Sequence, residues 1–287
     1  MPPASPSPII FWFRQDLRLN DNPALLTALN LGPIIPIYIL DDDNSAEQRM
    51  GAASRCWLHH SLAALNQQLN GRLQLFRGPA DMILEQLIQH YDCQTVTWNR
   101  CYEPWRIQRD SQIKKQLQEL GVTVHSDNGG LLWEPWQVLK KDQTPYKVFT
   151  PFYRHGRDTV PVRAPLPRPA EPSLAEVAPY SSLHLEALQL LPDHPWAQQV
   201  LHHWQPGEAG AQRRWQTFIE EELLGYGDGR DFPAQTHVSR LSPAIHFGEI
   251  SVHQLWHDAQ AIGHEDALAF EREMAWGECG GPQLIHK

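Results

Sequence analysis

The chain has 287 residues and a mass of 32.9 kDa, room for two domains of ordinary size or one large one. Hydrophobic residues make up 41% and charged residues 20%, which excludes a disordered polyampholyte. With 24 basic against 33 acidic residues the net charge is −9, which excludes a protein that coats nucleic acid by bulk charge but not a local basic groove.

In chain order, MPPASPSP has no basic region followed by an apolar stretch, so no secretory signal is expected. Short β-rich runs follow at Ile9–Phe13, Ile34–Leu40, Leu73–Phe76, Thr95–Trp98 and Val122–His125. No apolar run reaches the roughly 20 residues that span a bilayer, so no membrane segment is expected. Between the runs lie helical patterns. Leu58, Leu62, Leu65 and Leu69 share one face, Met82, Ile83, Leu87 and Ile88 mark a second helix, and Ile113, Leu117 and Leu120 a third. This alternation predicts an α/β fold, a doubly wound parallel sheet covered on both faces. Neither GxGxxG nor GxxxxGK[ST] follows the first strand, so the usual dinucleotide and P-loop fingerprints are missing.

From about residue 131 the pattern breaks. Residues 161–195 are proline-rich and aperiodic, which reads as a linker running over the surface. Helical character returns after Pro192, with helices expected over 211–224, 250–261 and 265–276, the start of an all-α region. Cys56, Cys93, Cys101 and Cys279 lie far apart without a CxxC, which argues against a zinc ribbon or disulfide framework and for a reducing cytoplasm. His59-His60 and His202-His203 are adjacent pairs, whose side chains point about 100° apart on a helix, so no metal site is expected.

Three segments hold candidate chemistry. Arg14, Asp16, Arg18 and Asp21 follow the first strand at its carboxyl end, where doubly wound sheets bind ligands. The same charges also suit a structural ion-pair lattice. Asn99 and Glu103 close another strand and can hydrogen-bond a heterocycle, although Asn-x-x-x-Glu alone is a weak signal. Ser239 and Ser242 precede a predicted helix with Pro243 in its first turn. Together with Arg240 they suit a phosphate, or simply cap the helix.

Taken together, WFRQDLRLNDNPAL, YKVFTPFYR (146–154), WQPGEAGA (204–211), RDFPA and SRLSPAIHFGEIS are similar, in the same order, to segments of the DNA photolyase and cryptochrome family. The resemblance covers about residues 9–276. It implies an α/β antenna-chromophore domain (1–130), an interdomain linker (131–195) and part of a helical FAD- and DNA-binding domain (196–287). It also implies light-driven repair: reduced FAD passes an electron to a cyclobutane pyrimidine dimer flipped out of UV-damaged DNA, the dimer splits, and the electron returns.

By position, Tyr226 resembles the tyrosine at the FAD phosphate-sugar region. Val238, Ser239, Arg240, Leu241 and Ser242 resemble the FAD phosphate loop, with Val238 where the family usually has threonine. Arg230 resembles a residue close to DNA. Glu273 and Trp276 resemble the catalytic Glu-x-x-Trp pair that receives the lesion, and Glu103 the antenna-site glutamate of folate-carrying members. The implied antenna is therefore 5,10-methenyltetrahydrofolate, with 8-hydroxy-5-deazaflavin as the alternative. A monomer without an obligate protein partner is expected. The competing readings are a cryptochrome-type photoreceptor and a remnant α/β domain that binds a pterin or nucleotide at Arg14, Asp16 and Glu103.

The resemblance stops after Trp276. Gly277 stands where the family has an FAD-binding arginine and Cys279 where it has phenylalanine, and Gly280-Gly281-Pro282 is expected to stop the helix. The sequence therefore reads as C-terminally truncated. The apolar faces over 211–224 and 250–276 are expected to lack partners, and the chain is expected to bind FAD weakly at best and not to repair DNA.

Overall fold

The computed structural model describes residues 7–41, 49–232, 234 and 236–285. Residues 1–6 of the N-terminal stretch, Pro233 of RDFPA and the side chain of Cys279 lie outside the described residues. Five strands, β1 (Ile9–Phe13), β2 (Ile34–Leu40), β3 (Gln74–Arg77), β4 (Thr95–Asn99) and β5 (Thr123–Asp127), form an all-parallel sheet in the order β3-β2-β1-β4-β5. Side chains alternate along β1. Ile9, Phe11 and Phe13 meet Leu25 and Ala28 of α1 (Pro23–Leu31) and Leu58, Leu62 and Leu65 of α2 (Ala52–Gln68). Ile10 and Trp12 meet Leu84 and Leu87 of α3 (Ala80–Tyr91) and Ile113 and Leu117 of α4 (Pro104–Glu119). Strand order reverses between β1 and β4, so the carboxyl ends of these two strands frame a crevice.

The 161–195 segment is more than a surface linker. Leu174 bridges Ile34, Leu183 bridges Leu75 on the edge strand β3, and Leu188 and Leu190 are buried in the core beside α2. An open parallel edge with unpaired backbone groups favours such a cover. Aperiodic, proline-rich sequence hides it.

The helices that follow are α5 (Phe149–Thr159), α6 (Trp196–His203), α7 (Glu208–Thr217), α8 (Tyr226–Gly229), α9 (Ser242–His246), α10 (Val252–Ile262) and α11 (Glu265–Ile285). A π-helical turn, Phe218–Glu222, continues α7. The apolar faces expected to lack partners pack on one another: Trp215, Phe218, Leu223, Tyr226, Leu255 and Phe270 form one cluster. Trp133, Phe152, Tyr153, Trp256 and Ala275 form a second, which draws α5 into the helical region. The expected helix stop at Gly280-Gly281-Pro282 is corrected as well, because α11 runs through to Ile285. Proline's fixed φ near −65° is helical and its missing N–H removes a single ladder bond, while glycine tolerates the conformation.

Candidate functional site

Arg18 is fully buried and gives its guanidinium protons to four carbonyls, those of Asn20 (2.9 Å), Asp21 (2.8 Å), Gly129 (2.6 Å) and Gly248 (2.9 Å). Asp21 accepts from Arg163, Ser251 Oγ and the Leu166 N–H. Burial alone would raise its pKa, but those donors outweigh it and hold the carboxyl below its ordinary value. Glu208 accepts the N–H groups of Leu19 (3.1 Å) and Asn20 (2.8 Å) and pairs with Arg168. Asp16 accepts the Arg14 N–H (2.6 Å) and the Asn99 amide (2.6 Å), and Asn99 also donates to Asn22 (2.7 Å). Asp16, Arg18, Asp21 and Asn99 are thus the structural lattice, and it docks the helical region on the crevice.

Arg14 belongs to that lattice and also to a cavity. Its guanidinium pairs with Asp110 and the Asn99 carbonyl and lies 4.9 Å from the Trp12 ring. Trp12, Arg14, Tyr38, Asp41, Glu103, Trp105, Arg106, Arg109 and His246 line a cavity of about 310 Å³ at the carboxyl ends of β1 and β2. Arg109 stands over both Trp12 (5.1 Å) and Trp105 (5.0 Å) while bonding Asp41 at 3.1 Å. Arg14 Nε, Asp41 Oδ1, Glu103 Oε2 and Arg106 Nε are buried without a hydrogen-bond partner among the described residues. Indole faces, guanidinium groups and orphaned polar atoms together suit a planar, polar, anionic ligand. Glu103 also borders a second cavity of about 570 Å³, with Asn99, Tyr102, Gly129 and Ile245, between the sheet and α9.

The remaining predicted residues lie in the helical region. Val238, Ser239, Arg240, Leu241 and Ser242 form the turn into α9, with Arg240 at φ 54° and Leu241 buried in the cluster that holds Tyr226. Arg214 clamps this turn: its Nε donates to the Ser239 carbonyl (2.8 Å), one Nη to the Val238 carbonyl (3.3 Å), and the group pairs with Glu222. Ser242 and Arg240 are exposed, so a hydroxyl and a guanidinium face outward as donors, with Ser239 half-buried beside them. On α11, Glu273 pairs with Arg230, and Trp276, one turn on, is exposed. Asp266 accepts the Gly225 (2.9 Å) and Gly227 (2.7 Å) N–H groups and so fixes α8, and these bonds hold its carboxyl below the ordinary value.

Arg214, Glu222 and Asp266 were not readable as site residues, because nothing local marks their partners. Arg106 and Arg109 had a signal that went unused, a basic pair at helical spacing directly after Glu103.

The family model of DNA photolyase matches residues 9–171. A deoxyribodipyrimidine photo-lyase of Agrobacterium fabrum is 41% identical over 98% of this chain and 60% of its own length. Cryptochrome-2 of Arabidopsis thaliana is 32% identical over 88% of this chain and 42% of its own. The crystal structure of a bacterial class III photolyase from Agrobacterium tumefaciens superposes with a TM-score of 0.92 at 39% identity, covering 100% of this chain and 61% of that one. The chain therefore spans about 60% of the length of these photolyases. A sheet and a helical region that superpose along the whole chain, with a family match over more than half the residues, lead to one assignment: the chain belongs to the DNA photolyase family.

Proposed function

We propose that these residues form part of the site of a light-driven flavoenzyme that splits cyclobutane pyrimidine dimers in DNA. The observation that carries this reading is the Arg230–Glu273 pair beside exposed Trp276 on one face of α11. A carboxyl next to an uncovered indole suits an extruded base, which needs a hydrogen-bonding partner and an aromatic wall. The outward donors of the 238–242 turn fit the diphosphate of FAD: Ser239, Arg240 and Ser242 would hold it, with Tyr226 beneath. When bound, FAD supplies light absorption and one-electron donation. Glu273 orients the lesion through its carboxyl, Arg230 fixes the Glu273 rotamer, and Trp276 keeps water from the base. Val238 leaves no hydroxyl at its place in the turn, and its carbonyl serves Arg214.

The reading is tested by titrating the 287-residue chain with FAD and following flavin fluorescence. Arg240→Ala should weaken binding about tenfold, the loss of one charge-assisted bond. Unchanged affinity would remove the turn from the site. Preference for a dimer-containing oligonucleotide over an undamaged one should fall in Glu273→Gln and vanish in Trp276→Ala.

The cavity at Trp12, Arg14, Glu103 and Arg109 supports an antenna site for methenyltetrahydrofolate, with a deazaflavin as the alternative. Similarity to a cryptochrome favours a second reading, a blue-light photoreceptor. It predicts flavin binding without discrimination between damaged and intact DNA.

A further inference from the structure

Helix α11 turns Glu273 and Trp276 outward, and Glu271 anchors it from the opposite side. A step of two residues rotates about 200° around a helix, so Glu271 is fully buried while Glu273 is not. Glu271 Oε1 accepts the phenol O–H of Tyr153 at 2.7 Å, and Arg157 Nε stands 3.8 Å away. The Tyr153 ring lies stacked on Phe149, one turn earlier on α5, with centroids 5.5 Å apart and planes inclined by 23°. Phe149 in turn meets the Trp276 indole at 4.7 Å and 59°. Glu271 and Trp276 of α11 are thus joined a second time, through α5. Trp276 is 59% exposed, and Phe149 is its aromatic neighbour among the described residues.

We propose that Glu271, Tyr153 and Phe149 are positioning residues that set the orientation of the Trp276 indole. The phenol hydrogen bond fixes Tyr153, the stacked ring fixes Phe149, and Phe149 closes one side of the space in which the indole turns. The functional consequence rests on the reading of Trp276 as the wall of a lesion pocket: the relay then decides how that wall stands before DNA arrives.

The test is fluorine NMR of the full chain labelled with 5-fluorotryptophan, the Trp276 line being assigned by its absence in Trp276→Phe. Tyr153→Phe removes only the hydroxyl, and Phe149→Leu removes the ring. Both should shift or broaden the Trp276 line while the line of core Trp215 stays in place. Glu271→Gln keeps an accepting oxygen and should retain the parent line, whereas Glu271→Leu should move it. A Trp276 line unmoved in folded Tyr153→Phe and Phe149→Leu overturns the proposal. If Phe149→Leu does not fold, Tyr153→Phe decides alone. These spectra need no DNA. Adding a dimer-containing oligonucleotide to the parent then tests the lesion reading separately, and that reading fails if the Trp276 line does not respond.

Discussion

Glu249 is fully buried, and Trp57 Nε1 (3.0 Å), Ser61 Oγ and the Gly207 N–H (2.7 Å) all meet its Oε1, leaving Oε2 without a partner among the described residues. None of these neighbours carries a charge, so burial pushes the carboxyl up to about 7 from an ordinary 4.5. Its contribution to stability is complete below about pH 4.5 and is lost as the pH rises through 7. His253 slopes the other way. Burial, with Arg163 beside it, pushes the imidazole down to about 3 from 6.5, so its contribution is present above pH 6.5 and lost as the pH falls. Between about pH 4.5 and 6.5 these two slopes oppose each other, while His59, His60 and His246, also lowered by burial, add to the upward one, so the parent should rise only gently there. Glu249→Gln, neutral and isosteric with the protonated acid, should make that rise to pH 6.5 steeper and then level off. At pH 8 the variant should exceed the parent by roughly 3 kcal/mol, from the size of the shift. Urea titrations at half-unit pH steps check this, and a variant parallel to the parent would refute it. Arg18 makes a simpler case. Arg18→Met strands the Gly129 and Gly248 carbonyls in a dry interior and should cost about 3–5 kcal/mol in the same assay.

The turn that carries α9 onto the crevice depends on Gly248. It sits at φ +64°, and a Cβ there would stand 2.0 Å from the Gln15 carbonyl oxygen, which is backbone and cannot step aside. Gly263 ends α10 at φ +66°, but its Cβ would meet nothing closer than the Gln260 carbonyl oxygen at 3.9 Å. Gly263→Ala should therefore cost only the left-handed strain of about 1–2 kcal/mol. Gly248→Ala should cost well over about 3 kcal/mol or abolish soluble expression, since the Leu17 N–H to Phe247 carbonyl bond would have to open too. Equal melting temperatures for the two variants would contradict this account. The same elements show what the sequence could reveal. β1 and β2 were legible to the residue, because strands buried on both faces read as unbroken apolar runs. Leu188 and Leu190 were not, because a proline-rich segment has no period to mark which side faces the core. The charges of DLRLND were visible, but whether they held a ligand or a lattice was not. Arg18 finds its partners at residues 129 and 248, and local sequence carries no such address. At Glu103 and in the 238–242 turn, residue type was legible, whereas the clamps Arg214 and Glu222 emerged only with the fold.

On the scale of the whole molecule, the sheet and the helical region share one interior. The core on the α2 side of the sheet contains Phe11, Leu17 and Leu58 together with Leu188, Leu190 and Phe247. Around it run polar ties from the loop after β1 to distant sequence: Asp21 to Ser251, Leu19 and Asn20 to Glu208, Arg18 to Gly248. A fragment of residues 1–130 loses all of these at once. It exposes the apolar surface that the three removed side chains cover, and it leaves a buried guanidinium and a buried carboxylate short of partners. Unpaired buried charge is the costlier loss, so trimming the helical region should unfold the loop after β1 before it disturbs the strands. The full chain should therefore lose near-UV and far-UV circular dichroism together in one urea transition, and its Leu19 and Asn20 amides should exchange only on global opening. In the 1–130 fragment those two amides should exchange without protection even where the strands remain formed. Two separate transitions in the full chain, or full protection of Leu19 and Asn20 in the fragment, would mean that the sheet is self-sufficient and that the lattice merely decorates a joint between independent domains.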